Sequence, residues 1–177
     1  MTVENNKNNS LKYFAVGSIG LLIGNWLTNR SQEESKMSRA ELDDPDLTED
    51  VCDEIGEILD EIELEGEYKN EDELRDALAK QLKKETDFEI EIAANTPFGK
   101  PDILIEGTLA LEVKVNPVKT EMDRCIGQCA GYSREWVTWI ILFDTPKSKE
   151  NQIQHILDDK GLDNILIVSY IDEEDRC

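Results

Sequence analysis

Asp102, Glu112 and Lys114 are the residues whose types and spacing suit chemistry on a charged ester. Glu112 and Lys114 are two apart in an alternating apolar segment, so on a strand they project from one face. Asp102 stands near the start of the preceding apolar segment, one short hairpin away. Two adjacent carboxylates and an ammonium beside apolar strands carry a large desolvation penalty, which a divalent cation would offset. Mg²⁺, with Mn²⁺ as the alternative, fits that donor set, because it takes one or two carboxylates and fills its remaining positions with water and substrate phosphate. Such a cation polarises a phosphodiester and activates a water. Lys114, its pKa lowered by burial and by the cation, would orient or deprotonate that water. The plain alternative is a Glu112–Lys114 salt bridge, with Gln128 capping a helix and Tyr132 packed in a core.

The elements that must position these groups follow from periodicity. Thr48 caps an expected helix to about Leu64, with Val51, Ile55, Ile58 and Ile62 as its stripe. That stripe is expected to dock on the domain; pairing with a second copy of the chain, a homodimer, is the alternative. Asn70 followed by Glu73 resembles a capping arrangement and opens a second helix to about Lys84, with Leu74, Leu78 and Leu82 on its apolar side. Phe88, Ile90 and Ile92 alternate with glutamates, as on a half-exposed strand. After the break at Pro97-Phe98-Gly99 comes a short strand over 101–105, a tight turn at Gly107-Thr108, and a period-2 strand over 109–115. A helix from about Thr120 to Glu135, a continuous apolar strand from Val137 to Phe143, a helix over 149–160 and a strand over 165–171 complete the chain. The order from Asn70 is helix, three strands, helix, strand, helix, strand. The fold class is α/β.

Pro101-Asp102, with Glu112-Val113-Lys114 on the next strand, resembles the motif of the PD-(D/E)xK, restriction-endonuclease-like nucleases. Gln128-Cys129-Ala130-Gly131-Tyr132 is similar to the Q-x-x-x-Y element of several branches of that superfamily. The helix, three strands, helix, strand order also fits its core, over about residues 70–145. The resemblance implies a metal-dependent nuclease in which Asp102 and Glu112 bind the metal and Lys114 assists the attacking water. Gln128 and Tyr132, four apart on one helix face, would touch the site or the nucleic-acid backbone. Glu73 would supply the further acid that many members carry on the first helix, with Glu71, Asp72 and Asp76 competing for that role. The implied partner is nucleic acid, DNA ahead of RNA. Readings from other classes are a catalytically inactive copy of the fold serving as an adaptor, and an unrelated acidic interaction domain. Some members hold an iron–sulfur cluster, but Cys125 and Cys129 flank Gln128 and do not follow Tyr132, which excludes that arrangement.

Residues 1–12 read as a polar tail, 13–29 as a candidate transmembrane helix, 30–47 as a charged linker and 48–177 as the nuclease-like domain. Tyr13 to Leu27 carries no charge, and Tyr13 and Trp26 lie near its ends as interfacial anchors would. A core or interfacial helix and a signal peptide are the alternatives. Lys and Arg near the segment favour a cytoplasmic C-terminal domain on a membrane anchor. Cys52, Cys125, Cys129 and Cys177 lack the spacing of a zinc knuckle, so a reducing compartment with free thiols is expected.

The apolar share of 39% suffices for a core, and ten Gly and five Pro exclude collagenous or low-complexity readings. The formal charge of −21 is unevenly spread: residues 40–91 hold 22 acidic and 5 basic side chains, residues 97–150 hold 8 and 7. A polyanion is therefore better received by the second stretch. The composition suits a protein of a salt-accumulating halophile or its virus, an ordinary acidic bacterial or phage protein being the alternative. Because molar salt shortens the Debye length to roughly 3 Å, screening should relieve the repulsion within residues 40–91. Thermal melts of the purified chain are therefore expected to rise as KCl goes from about 0.1 to about 3 M. A steady fall would mean that the acid serves a basic partner instead.

Overall fold

The computed structural model describes residues 11–15, 45–66, 68 and 70–172. It is an α/β architecture of four helices and one mixed sheet. In chain order the elements are β1 (Leu11–Ala15), α1 (Pro45–Glu61), β2 (Leu64–Gly66), α2 (Glu71–Glu85), β3 (Ile90–Ile92), β4 (Ile103–Ile105), β5 (Leu109–Val115), α3 (Lys119–Tyr132), β6 (Val137–Phe143), α4 (Lys147–Asp159) and β7 (Ile165–Asp172). From α2 onward this is the expected order of elements. The sheet runs β2-β1-β7-β6-β5-β4-β3, with β5, β6 and β7 parallel and the other pairings antiparallel.

Strand alternation sorts the core into two layers. Ile103, Ile105, Leu109, Leu111 and Val113 point to the face covered by α1 and α2, where they meet Val51, Ile55, Leu59, Leu74, Leu78 and Leu82. Ile140, Leu142, Ile165 and Ile167 point to the opposite face and meet Met122, Cys125, Ile126 and Cys129 of α3 and Ile153 and Leu157 of α4. Both faces of β6 are covered, so all seven of its residues are buried, which explains its unbroken apolar run. Cys52, Cys125 and Cys129 are buried and form no disulfide among the described residues, and they act as small apolar side chains.

Local signals explain most of the boundaries. Asn70 caps α2, its Oδ1 accepting the Glu73 N–H at 2.9 Å. The β4–β5 hairpin turns through Glu106 and Gly107, at φ 50° and 62°, and the Thr108 N–H closes it on the Ile105 carbonyl at 2.9 Å. Two expected boundaries are corrected. The first helix starts at Pro45, which suits an initial helical position, so Thr48 lies buried inside it and is not its cap. It ends at Glu61, because Leu64–Gly66 pair with β1 in a strand.

The expected N-terminal hydrophobic helix over 13–29 is also corrected at its start. Tyr13, Phe14 and Ala15 are extended and pair with Asp172, Ile171 and Tyr170 of β7. Residues 16–29 and most of the 30–47 linker lie outside the described residues. No helix among the described residues is long and apolar enough to cross a membrane.

One hydrogen bond ties α1 to the sheet. The buried Tyr170 hydroxyl donates to the Leu59 carbonyl at 2.7 Å. Leu59 stands in the last turn of α1, where helix carbonyls lack an intrahelical donor. Tyr170→Phe would leave that acceptor buried without its partner, and urea denaturation should show a loss of about 1–3 kcal/mol. A midpoint equal to the unmodified chain's would show that this bond contributes nothing.

Candidate active site

The site is built where β4 stops short of β5. The register pairs Ile103 with Leu111, so β4 gives out just as β5 continues through Glu112, Val113 and Lys114. The Asp102 side chain takes over the ladder there: its Oδ2 accepts the Val113 N–H at 2.9 Å. A carboxylate thereby finishes the backbone hydrogen bonding of the central strand and is fixed at its edge.

Lys114 gathers the acids. Its Nζ is 2.9 Å from Glu71 Oε1, 3.0 Å from Glu112 Oε1 and 3.5 Å from Asp102 Oδ2. The Asp102 and Glu112 oxygens thus share one ammonium and can be no further apart than the sum of their two distances from it. Lys114 and Glu112 are buried, their side chains 3% and 4% exposed, whereas Asp102 and Glu71 reach solvent. A dry apolar wall of Pro117, Met122, Cys125, Ile126, Ile140, Leu142 and Ile153 lies beside Lys114. Glu112 Oε2 is buried without a hydrogen-bond partner.

The electrostatics follow from that crowding. Burial pushes the Glu112 carboxyl up to about 7, and the Asp102 charge pushes it the same way against the pull of Lys114. Burial acts to lower the Lys114 pKa, but Glu112, Asp102 and Glu71 outweigh it, and the net shift is upward. The lowering expected from burial is present, but in the metal-free chain three carboxylates outweigh it and favour the ammonium, the form that orients a water. With every group ionised, three carboxylates face one ammonium and leave excess negative charge in the cluster.

Gln128 and Tyr132 adjoin this cluster on α3. Gln128 Nε2 lies 3.4 Å from the Tyr132 hydroxyl, and Gln128 Oε1 is buried without a partner. The Tyr132 pKa is pushed up to about 12 by burial and by the nearby Glu112 charge. Five of the six expected residues therefore stand at the cluster or beside it. Glu73 does not. Its side chain turns back to the helix cap, 3.4 Å from Asn70 Nδ2, and Glu71 takes the place by the ammonium. The Asn70–Glu73 capping spacing was the sequence signal that could have excluded Glu73 from the site.

The donor set suits a hard divalent cation. Among the described residues no group of three or more His, Cys, Asp or Glu stands ready to enclose a metal. Mg²⁺ needs no such cage, because it keeps several waters and commonly binds one or two carboxylates with substrate phosphate. The unpartnered Glu112 Oε2 is an acceptor with spare capacity at the point where negative charge is in excess.

Comparison of the chain with protein-family models, with curated proteins and with solved structures finds no match.

The raised Glu112 pKa sets a pH dependence in the metal-free chain. From the ordinary value of 4.5 up to about 7, the folded state retains a proton that the unfolded chain has lost. Stability contributed by this group therefore falls as pH rises through that window. Urea midpoints in chelator should show Glu112→Gln gaining on the unmodified chain between about pH 4.5 and about 7. Parallel curves for the two proteins would contradict the raised pKa.

Proposed function

We propose that the chain is a metal-dependent nuclease of the PD-(D/E)xK type, hydrolysing phosphodiester bonds, with DNA ahead of RNA as substrate. The observation that carries this reading is the convergence of Asp102 and Glu112, from two adjacent strands, on the buried ammonium of Lys114. Asp102 and Glu112 would hold Mg²⁺, which when bound supplies Lewis-acid polarisation of the phosphate and a more acidic water.

The chain's own residues do the rest. The Val113 N–H fixes the Asp102 carboxylate, so one ligand is positioned before any cation arrives. Lys114 stays protonated and donates to the attacking water or to the oxygens of the phosphate, where negative charge builds up. Glu71 restrains the Lys114 ammonium from the solvent side. Gln128, its amide held 3.4 Å from the buried Tyr132 hydroxyl, would be the α3 group to meet a phosphate or sugar oxygen.

The decisive assay incubates the purified chain with plasmid and with short single-stranded and duplex oligonucleotides, in high salt, with Mg²⁺ or with chelator. Cleavage is expected only with the cation. Asp102→Ala and Glu112→Ala should each lower the rate by about three orders of magnitude, equivalent to about 4 kcal/mol of barrier, while keeping the native circular dichroism. Activity retained in either folded variant would sink the assignment. Nucleic-acid binding without cleavage would favour the inactive adaptor.

A further inference from the structure

The segment between β3 and β4 forms a braced turn against α3. Thr96 and Gly99 pair through their backbones at 2.9 and 3.3 Å, and the Thr96 hydroxyl donates to the Gly99 carbonyl at 2.8 Å. The Phe98 N–H reaches the same hydroxyl at 3.2 Å. Gly99 sits at φ +133°, and a Cβ there would lie 2.7 Å from the Tyr132 ring. Only glycine lets the turn press down on Tyr132 this closely.

That turn carries an exposed aromatic four residues before Asp102. Phe98 is 44% exposed, one of four large apolar side chains in the open among the described residues. Its ring meets Trp136 edge-to-face, with centroids 5.7 Å apart and planes at 87°, and Trp136 in turn tilts against Tyr132 at 6.2 Å. The contacts run unbroken from Phe98 through Trp136 and Tyr132 to Gln128, and Tyr132 lies near enough to Glu112 to feel its charge. Lys100, exposed, follows directly on the chain and leads to Asp102. An aromatic ring held half-exposed on a rigid turn, next to a lysine and a candidate phosphodiester site, has the parts of a stacking platform.

Resting on the nuclease reading, we propose that this turn makes the site select an unpaired strand, with Phe98 stacking on a nucleobase and Lys100 meeting an adjoining phosphate. A base inside a duplex is already stacked on both sides and offers Phe98 nothing, whereas a base in a single strand or a frayed end presents a free π-face. The charge balance points the same way. A single strand has a lower charge density than a duplex, as its weaker counterion-release slope shows, so a chain of net charge −21 repels it less.

The test uses the whole chain and two readouts. In steady-state cleavage with Mg²⁺, Phe98→Ala is expected to raise KM for single-stranded oligonucleotides by about tenfold or more, leave kcat within about twofold, and change duplex KM little. Phe98→Trp should restore the single-strand KM. In the Glu112→Gln background, single strands carrying 2-aminopurine should lose fluorescence on binding, and Phe98→Ala should abolish that quench. An active Phe98→Ala enzyme with unchanged single-strand KM and intact quenching would overturn the inference and leave the nuclease reading standing. Equal losses on duplex and single strand would overturn strand selection. If the unmodified chain neither cleaves nor binds oligonucleotides, the nuclease reading fails and this inference with it.

Discussion

The buried ammonium of Lys114 is the constraint around which the functional end of the sheet is arranged. Three carboxylates converge on it from three elements: Glu71 from α2, Asp102 from the head of β4 and Glu112 from the same strand as the lysine. Taking such charges out of water costs several kcal/mol per ion, and replacing a buried ion cluster by apolar side chains is often neutral or stabilising. Here the neighbouring positions show that apolar packing was available. Ile140 and Leu142, the cross-strand partners of Glu112 and Lys114 on β6, are fully buried among hydrocarbon. Stability therefore gives no account of the charged set, whereas the proposed chemistry would use every member of it.

The sheet makes the convergence possible through a difference in strand length. β5 has seven residues and is paired along its whole length with parallel β6, whereas β4 has three and leaves the end of β5 without a backbone partner on that side. There the Asp102 carboxylate accepts the Val113 N–H, and the Lys114 ammonium donates to the Val113 carbonyl. A longer β4 would satisfy the ladder with backbone groups and close the gap on the site. The positively curled backbone at Asn116, φ 39°, then turns the chain away into α3, whose Gln128 and Tyr132 return toward the same carboxylates.

Much of this was legible because β5 alternates cleanly and because a hairpin joins it to Asp102. The strict period of Leu109, Leu111, Val113 and Val115 fixes which side Glu112 and Lys114 occupy, and Asn70 announces the start of α2. The run from Val137 to Phe143 is apolar enough to define its own limits. The misreadings have local causes. Leu64-Glu65-Gly66 continues a helical spacing from Ile58 and Ile62, and only long-range pairing with β1 makes it a strand. Tyr13–Ala15 reads as the start of an apolar helix for the same reason: its partner, β7, lies at the other end of the chain. In the first turn of α2 three consecutive acids compete, and helix geometry separates neighbours by about 100°, so two positions decide whether a carboxylate caps the helix or meets Lys114. Burial of Lys114 is legible in the period-2 strand, whereas the three carboxylates that outweigh it come from three elements and are not.

The same excess of negative charge constrains what the site can receive. A phosphodiester brings further negative charge to a cluster where three carboxylates already outnumber one ammonium, in a chain whose formal charge is −21. Lys114 cannot balance both, because its single positive charge already faces three carboxylates. A divalent cation would supply positive charge at the point where Asp102 raises the Glu112 pKa, removing the repulsion between the two carboxylates and the repulsion between carboxylates and phosphate together. On the proposed reading, cation binding would be the electrostatic condition for a phosphodiester to enter as well as the source of the chemistry, so that the charge imbalance at the cluster and the candidate mechanism belong together.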